Sequence, residues 1–158
     1  VSSPFVKAKA IEGATTVSFE DIFNSELMVT IPGTNTAKIA ARGIPMLVVF
    51  PLNNPEVIPL DGLADIIGKL PVVGRVFKKV LAKIINKRTR FFSLPNQKAG
   101  YEIVPEIRGQ ITPAEVSHKI IALFNDPVKR KQMSANLIKS MGPPGAARKI
   151  VEDINAGI

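Results

Sequence analysis

Residues 26–42, ELMVTIPGTNTAKIAAR, constrain the fold more than any other stretch of the chain. Leu27, Met28, Val29 and Ile31 form a short apolar run, the pattern of a parallel strand covered on both faces. Pro32 and Gly33 stop it. Thr34, Asn35 and Thr36 follow where a helix would begin. Their side-chain oxygens are placed to cap it, and its first backbone N–H groups have no partner within it. The helix dipole favours negative charge at the same point, so the turn is a candidate anion site. A cation in the last turn, Arg42, and a glycine just beyond, Gly43, close a helix over about 34–42. After Pro45, the run Met46-Leu47-Val48-Val49-Phe50 reads as a second buried strand. Strand, helix and strand make a βαβ unit with an expected right-handed crossover.

The remainder is arranged around that unit. Residues 1–16 carry only a weak alternation through Phe5, Val6, Ala8, Ala10 and Ile11. Ser18 reads as an N-cap, with Glu20 and Asp21 in the first turn of a short helix reaching Asn24. Beyond the second strand, PLNNPEVIPL at 51–60 is rich in proline and asparagine and reads as an irregular loop. Pro71 suits the first position of a longer helix ending near Asn86. Its apolar pairs recur four apart (Val72 and Val73, Val76 and Phe77, Val80 and Leu81, Ile84 and Ile85), with Arg75, Lys78, Lys79, Lys83 and Lys87 opposite. A β-prone run at 89–94 precedes the mixed stretch QKAGYEIVPEIRG. Thr112-Pro113-Ala114-Glu115 is a capping box opening a helix to about Phe124. Asp126-Pro127 opens the next, to Met141, and GPPG at 142–145 breaks it before a last helix from Ala146 to about Asn155. Alternating strands and helices followed by a terminal helix cluster give an α/β fold with a Rossmann-like parallel sheet flanked by helices.

A chain of 158 residues has the size of a single domain and can bury roughly 70% of its unfolded surface. Without cysteine it has neither disulfide nor thiolate ligand, and its one histidine, His118, makes an imidazole metal cage an unsuitable expectation. No metal or other cofactor is expected. No apolar run reaches the roughly 18 residues of a spanning helix, and no signal peptide is read at the start of the sequence. The net charge of +8 is concentrated. Lys69, Arg75, Lys78, Lys79, Lys83, Lys87, Arg88, Arg90 and Lys98 fall between Ile66 and Tyr101 with no acid among them, leaving 12 basic against 13 acidic residues elsewhere. Such a segment favours an anionic partner. With Tyr101 as the only tyrosine and no tryptophan, there is no aromatic platform interleaved with the charges, and nucleic acid is not expected. The helix over 71–87 reads either as a packed amphipathic helix with a solvated basic face or as an interfacial membrane helix with Phe77 and the aliphatics inward. Cations near an anionic bilayer contribute about 1 kcal/mol each, enough for five or six to hold a domain there.

Three stretches, in this order, resemble lipid-A-disaccharide synthases: PGTNTAKIAARGIPMLVVF at 32–50, FSLPNQKAGYEIVPE at 92–106, and GPPGAA at 142–147. The middle one is the most specific. The resemblance covers about residues 15–155 and implies the C-terminal, donor-binding half of a glycosyltransferase of two Rossmann-like domains, the GT-B type. It implies a UDP-sugar donor, a lipid-linked acceptor at the cytoplasmic face of the membrane, and no metal. It places Gly33, Thr34, Asn35 and Thr36 at the donor diphosphate, and Asn96, Gly100, Glu102 and Glu106 around the nucleotide-sugar cleft. At Lys38 the family pattern carries a glutamate. A lysine cannot accept hydrogen bonds from sugar hydroxyls, but it can meet a phosphate as a point charge. The stretch at 52–88, holding the basic helix, is longer than the matching loop of the family. The N-terminal half of such enzymes supplies the acceptor site and the base, so this portion alone is expected not to turn over.

Each feature also has a plainer reading. A glycine turn between a strand and a helix is common in α/β folds, and Asn96 after Pro95 can serve as a helix cap. His118 reads as structural or solvated. A rival function is a non-catalytic, membrane-associated or oligomerising module on the same scaffold. Strand edges and apolar helix faces left without a covering domain predict self-association, so a homo-oligomer is expected.

Overall fold

In the computed structural model, the residues described are 12–15, 17, 18, 21–53, 89–142 and 146–157. The basic helix expected at 71–87, with Arg75, Phe77, Lys78, Lys79, Lys83 and Lys87, falls outside them.

The described elements are a 3₁₀ turn at Asp21–Asn24, strands β1 (Met28–Thr30), β2 (Met46–Pro51) and β3 (Glu106–Gly109), and helices α1 (Thr34–Ala41), α2 (Leu94–Ala99), α3 (Pro113–Phe124), α4 (Pro127–Met141) and α5 (Ala146–Asn155). The strands form one parallel sheet in the order β1-β2-β3. Met28 lies opposite Met46 and Thr30 opposite Val48, which is itself opposite Glu106. The protein is therefore α/β, with a three-stranded parallel sheet flanked by helices, as a Rossmann-like unit requires.

The central strand has both faces covered. Met46, Leu47 and Val48 are all completely buried, which explains an uninterrupted apolar run. The same expectation fails for β1. Met28 is buried, but Val29 and Ile31 are 48% and 57% exposed: among the described strands β1 lies at one end of the sheet, and only the face bearing Met28 is buried. Thr36, Ile39 and Ala40 form the buried stripe of α1, and α1 packs on α2 and α4. Met133 and Leu137, one turn apart on α4, complete that layer. The Met133 Sδ accepts the Met46 N–H at 3.4 Å. On α3, Leu123 is buried, and the helix meets both α4 and β2.

Local chemistry places several element ends as the sequence predicts. Thr112 and Glu115 form the reciprocal capping box of α3, with the Thr112 N–H and hydroxyl donating to Glu115 Oε2 at 2.7 and 2.9 Å. These bonds hold the Glu115 carboxyl below the usual glutamate range. Asp126 caps α4 by accepting the Lys129 N–H. Gly43 closes α1 with φ +67°.

Four expectations change. Residues 89–94 form no strand: α2 begins at Leu94, because Ser93 and Pro95 supply a helix start that outweighs β propensity. The strand lies instead at Glu106–Gly109, inside the mixed stretch, where pairing to β2 overrides weak local preference. The helix expected before Asn24 is a single 3₁₀ turn, tied to Ser18 through Asp21. Finally, α1 is not capped by the side chains of Thr34, Asn35 or Thr36, for its N-cap is Gly33.

Candidate functional site

The site is built where β1 ends and α1 begins. Gly33 has φ 141° and ψ −172°, a backbone region that side chains rarely adopt. No described residue lies within 4 Å of the position a Cβ would take, so among the described residues it is the chain direction, and not a close contact, that calls for glycine here. The Gly33 carbonyl accepts the Thr36 hydroxyl at 2.7 Å and the Thr36 N–H at 3.0 Å. Thr34 and Asn35 are exposed, and their N–H groups belong to the first turn, which has no intrahelical acceptor. Lys38 follows Thr34 by four residues on the same exposed helix face.

A second helix start stands beside the first. The Leu94 N–H, at the beginning of α2, donates to the Thr36 Oγ1 at 3.2 Å. Glu106, reaching back from β3, accepts donors gathered around that start. Its Oε1 accepts the Ser93 N–H at 2.9 Å, the Ser93 hydroxyl at 2.7 Å and the Asn96 amide at 2.8 Å, and its Oε2 accepts the Phe92 N–H at 2.8 Å. A carboxylate in this place complements the helix dipole. Register sets Glu106 level with Thr30, through Val48 between them. Two helix N-termini thus meet at the carboxyl end of β1, one filled by the chain's own carboxylate and the other facing out.

Of the residues expected around the cleft, Thr36, Asn96 and Glu106 come together with Gly33, Thr34 and Asn35. Asn96 is completely buried. Its Nδ2 donates to the Val104 carbonyl at 2.8 Å as well as to Glu106, and its Oδ1 accepts the N–H groups of Ile103 and Val104 at 2.7 and 3.0 Å. It lies inside α2 and does not cap it. Gly100 and Glu102 fall elsewhere. Gly100, with φ 77°, closes the opposite end of α2, about 9 Å along the axis from its start at 1.5 Å per residue, and Glu102 is exposed just beyond it.

Ser93 and Leu94 adjoin the site; they fall within the FSLPN stretch of the resemblance but are not among the site residues it implies. The signal available was the Ser-x-Pro pattern of a helix start within SLPN. An aromatic pair adjoins it: the Phe50 and Phe92 rings lie 4.8 Å apart, and the Arg108 guanidinium stands 5.4 Å from the centre of Phe92. Neither pairing is visible in sequence spacing. Among the described residues no three His, Asp or Glu side chains converge as metal ligands, and no helix is long and apolar enough to cross a membrane.

No family model matches the chain, and no solved structure matches it. Over 145 residues, 89% of its length, the chain is 24% identical to a lipid-A-disaccharide synthase of Syntrophus aciditrophicus (strain SB). It spans about a third of the length of that relative, 31%. In sequence the chain is therefore distantly similar, over part of the relative's length, to a glycosyltransferase, and in fold it is an α/β unit of the Rossmann-like kind.

Proposed function

We propose that this chain is the donor-binding portion of a lipid-directed glycosyltransferase, holding the diphosphate of a UDP-sugar at the N-terminus of α1. The observation that supports the reading is the Gly33 turn, whose carbonyl is held by Thr36 at the start of a helix that no side chain caps, so that the first α1 amides have no acceptor within the helix. An anion so placed gains about 0.3–1 kcal/mol from the dipole at an exposed helix end, and up to about 2 kcal/mol where partly buried. In transfer, the bond from the anomeric carbon to the diphosphate oxygen breaks, and a bond to an acceptor hydroxyl oxygen forms. The Thr34 and Asn35 N–H groups stabilise the charge gathering on the departing diphosphate, and Lys38 adds a point charge on the same helix face. A base taking the acceptor proton comes from a further domain, so this portion by itself binds without turning over. Titration with UDP, followed by heteronuclear NMR, is expected to shift the Gly33, Thr34 and Asn35 amides. Absence of any response at millimolar UDP refutes the reading.

A second reading is favoured by the nine cations without an acid between Ile66 and Tyr101: a membrane-associated module that has kept the scaffold without the chemistry. It predicts salt-sensitive flotation with anionic vesicles, lost in Lys78→Glu with Lys83→Glu and indifferent to UDP. Equal flotation of the parent and the double variant rules it out.

A further inference from the structure

We propose that Thr36, Asn96 and Glu106 are positioning residues for the α1 turn. Two sets of hydrogen bonds joined through the Ser93-Leu94 peptide, Glu106 to Ser93 and Leu94 through Thr36 to the Gly33 carbonyl, aim the amides that meet the ligand. This rests on the donor-site reading above and assigns the residues within it. Thr36 is completely buried. Its single hydroxyl proton goes to the Gly33 carbonyl, and its oxygen accepts the Leu94 N–H. It has no proton left for a phosphate.

The consequence follows from peptide geometry. The Gly33 carbonyl and the Thr34 N–H belong to one planar trans unit, so they point in opposite directions. Holding the carbonyl inward turns the Thr34 N–H outward. Glycine loses more conformational freedom on ordering than any other residue; the Thr36 N–H also donates to this carbonyl, and the hydroxyl adds the second bond that narrows the range the Gly33 peptide can sample. Thr36 is itself placed by Leu94, and Leu94 by the α2 start that Glu106 and Ser93 fix. Asn96 spends both donors and both acceptor positions within the chain, locking α2 to residues 103–104 and to Glu106. Within the turn itself, ligand contact is left to Gly33, Thr34 and Asn35, with Lys38 beyond them on α1.

The test is an NMR titration of the chain with inorganic pyrophosphate and with UDP. Thr36→Val keeps the volume and removes the hydroxyl. It is expected to weaken both ligands at least about tenfold and to move the Leu94 amide resonance in the ligand-free protein. Thr36→Ser keeps the hydroxyl and is expected to restore both. Ser93→Ala, further along the set, is expected to lower affinity a few-fold without touching the turn, and decides the matter if Thr36→Val does not fold. The proposal is overturned by a folded Thr36→Val that binds as the parent does, or by a Thr36→Ser as weak as the valine variant, because methyl packing would then be the determinant. It is equally overturned, where the valine variant does not fold, by a Ser93→Ala of unchanged affinity. A parent whose turn amides respond to neither ligand refutes the donor-site reading itself.

Discussion

Replacing Gly43 by alanine tests how the layer that carries the site is assembled. Gly43 closes α1 with φ +67°, and a Cβ there would lie 2.7 Å from Ile138 Cδ1, 2.8 Å from Ile138 Cγ1 and 3.1 Å from Ser134 Oγ. Two costs follow. Holding an L-residue in the left-handed region costs about 1–2 kcal/mol, and overpacking typically costs about 1–3 kcal/mol. The second lies at the low end here, because Ile138 is 50% exposed and its end can swing toward solvent. Against these, alanine restricts the unfolded chain and returns about 0.4–1 kcal/mol. The net expectation is a destabilisation of about 2 kcal/mol, a large share of the 5–15 kcal/mol typical of a domain. Urea unfolding should show a lower midpoint with an unchanged slope. The two costs separate in a double-mutant cycle: Gly43→Ala in an Ile138→Ala background loses the steric part and retains the conformational part. A Gly43→Ala unfolding free energy within about 0.5 kcal/mol of the parent's, the range of an ordinary surface change, would refute the close approach of α1 to α4.

Other expectations concern the parts that brace the site. Asn96→Ala strands the Ile103 and Val104 N–H groups and the Val104 carbonyl, at about 1–3 kcal/mol for each buried group. A loss of at least about 3 kcal/mol on chemical denaturation is therefore expected. Arg130 donates to the carbonyls of Leu123 and Phe124 at the end of α3 and stacks 5.2 Å from the Phe124 ring, so Arg130→Met should cost about 1.5–3 kcal/mol. Its ion pair at 3.4 Å with Glu26, whose side chain is 71% exposed, should contribute less than about 1 kcal/mol, so Glu26→Gln should leave the melting temperature nearly unchanged. The α3 cap should depend on pH. The folded carboxyl of Glu115 is held below its unfolded value by the Thr112 N–H and then the Thr112 hydroxyl. That stabilisation is complete above the unfolded pKa and is lost as pH falls through the folded one. Acid titration of the Thr112 amide by NMR should follow this, and Glu115→Gln should abolish it.

The parts of the fold legible from the residues are those with local causes. The βαβ unit, the glycine closing α1, the Thr112–Glu115 box, the Asp126-Pro127 start and the last helix each rest on chemistry within a few residues. The turn at Gly33 was legible for the same reason. What escaped depends on distant partners. β3 exists because residues 106–109 pair with 48–51, and α2 begins at Leu94 although the residues before it favour a strand. Asn96 and Glu106 were marked as ligand contacts from a resemblance. The structure places them among hydrogen-bond partners up to 14 positions away in the chain, an arrangement that no spacing rule anticipates.

The sequence by itself determined that this is an α/β chain with a strand-turn-helix suited to an anion, because apolar periodicity, capping and glycine conformation act locally. Only the tertiary structure decided which hydrogen-bond partners the residues around that turn take. Whether a threonine or a glutamate faces a ligand or its own backbone depends on which donors folding brings within about 3 Å, and those donors lie on other elements.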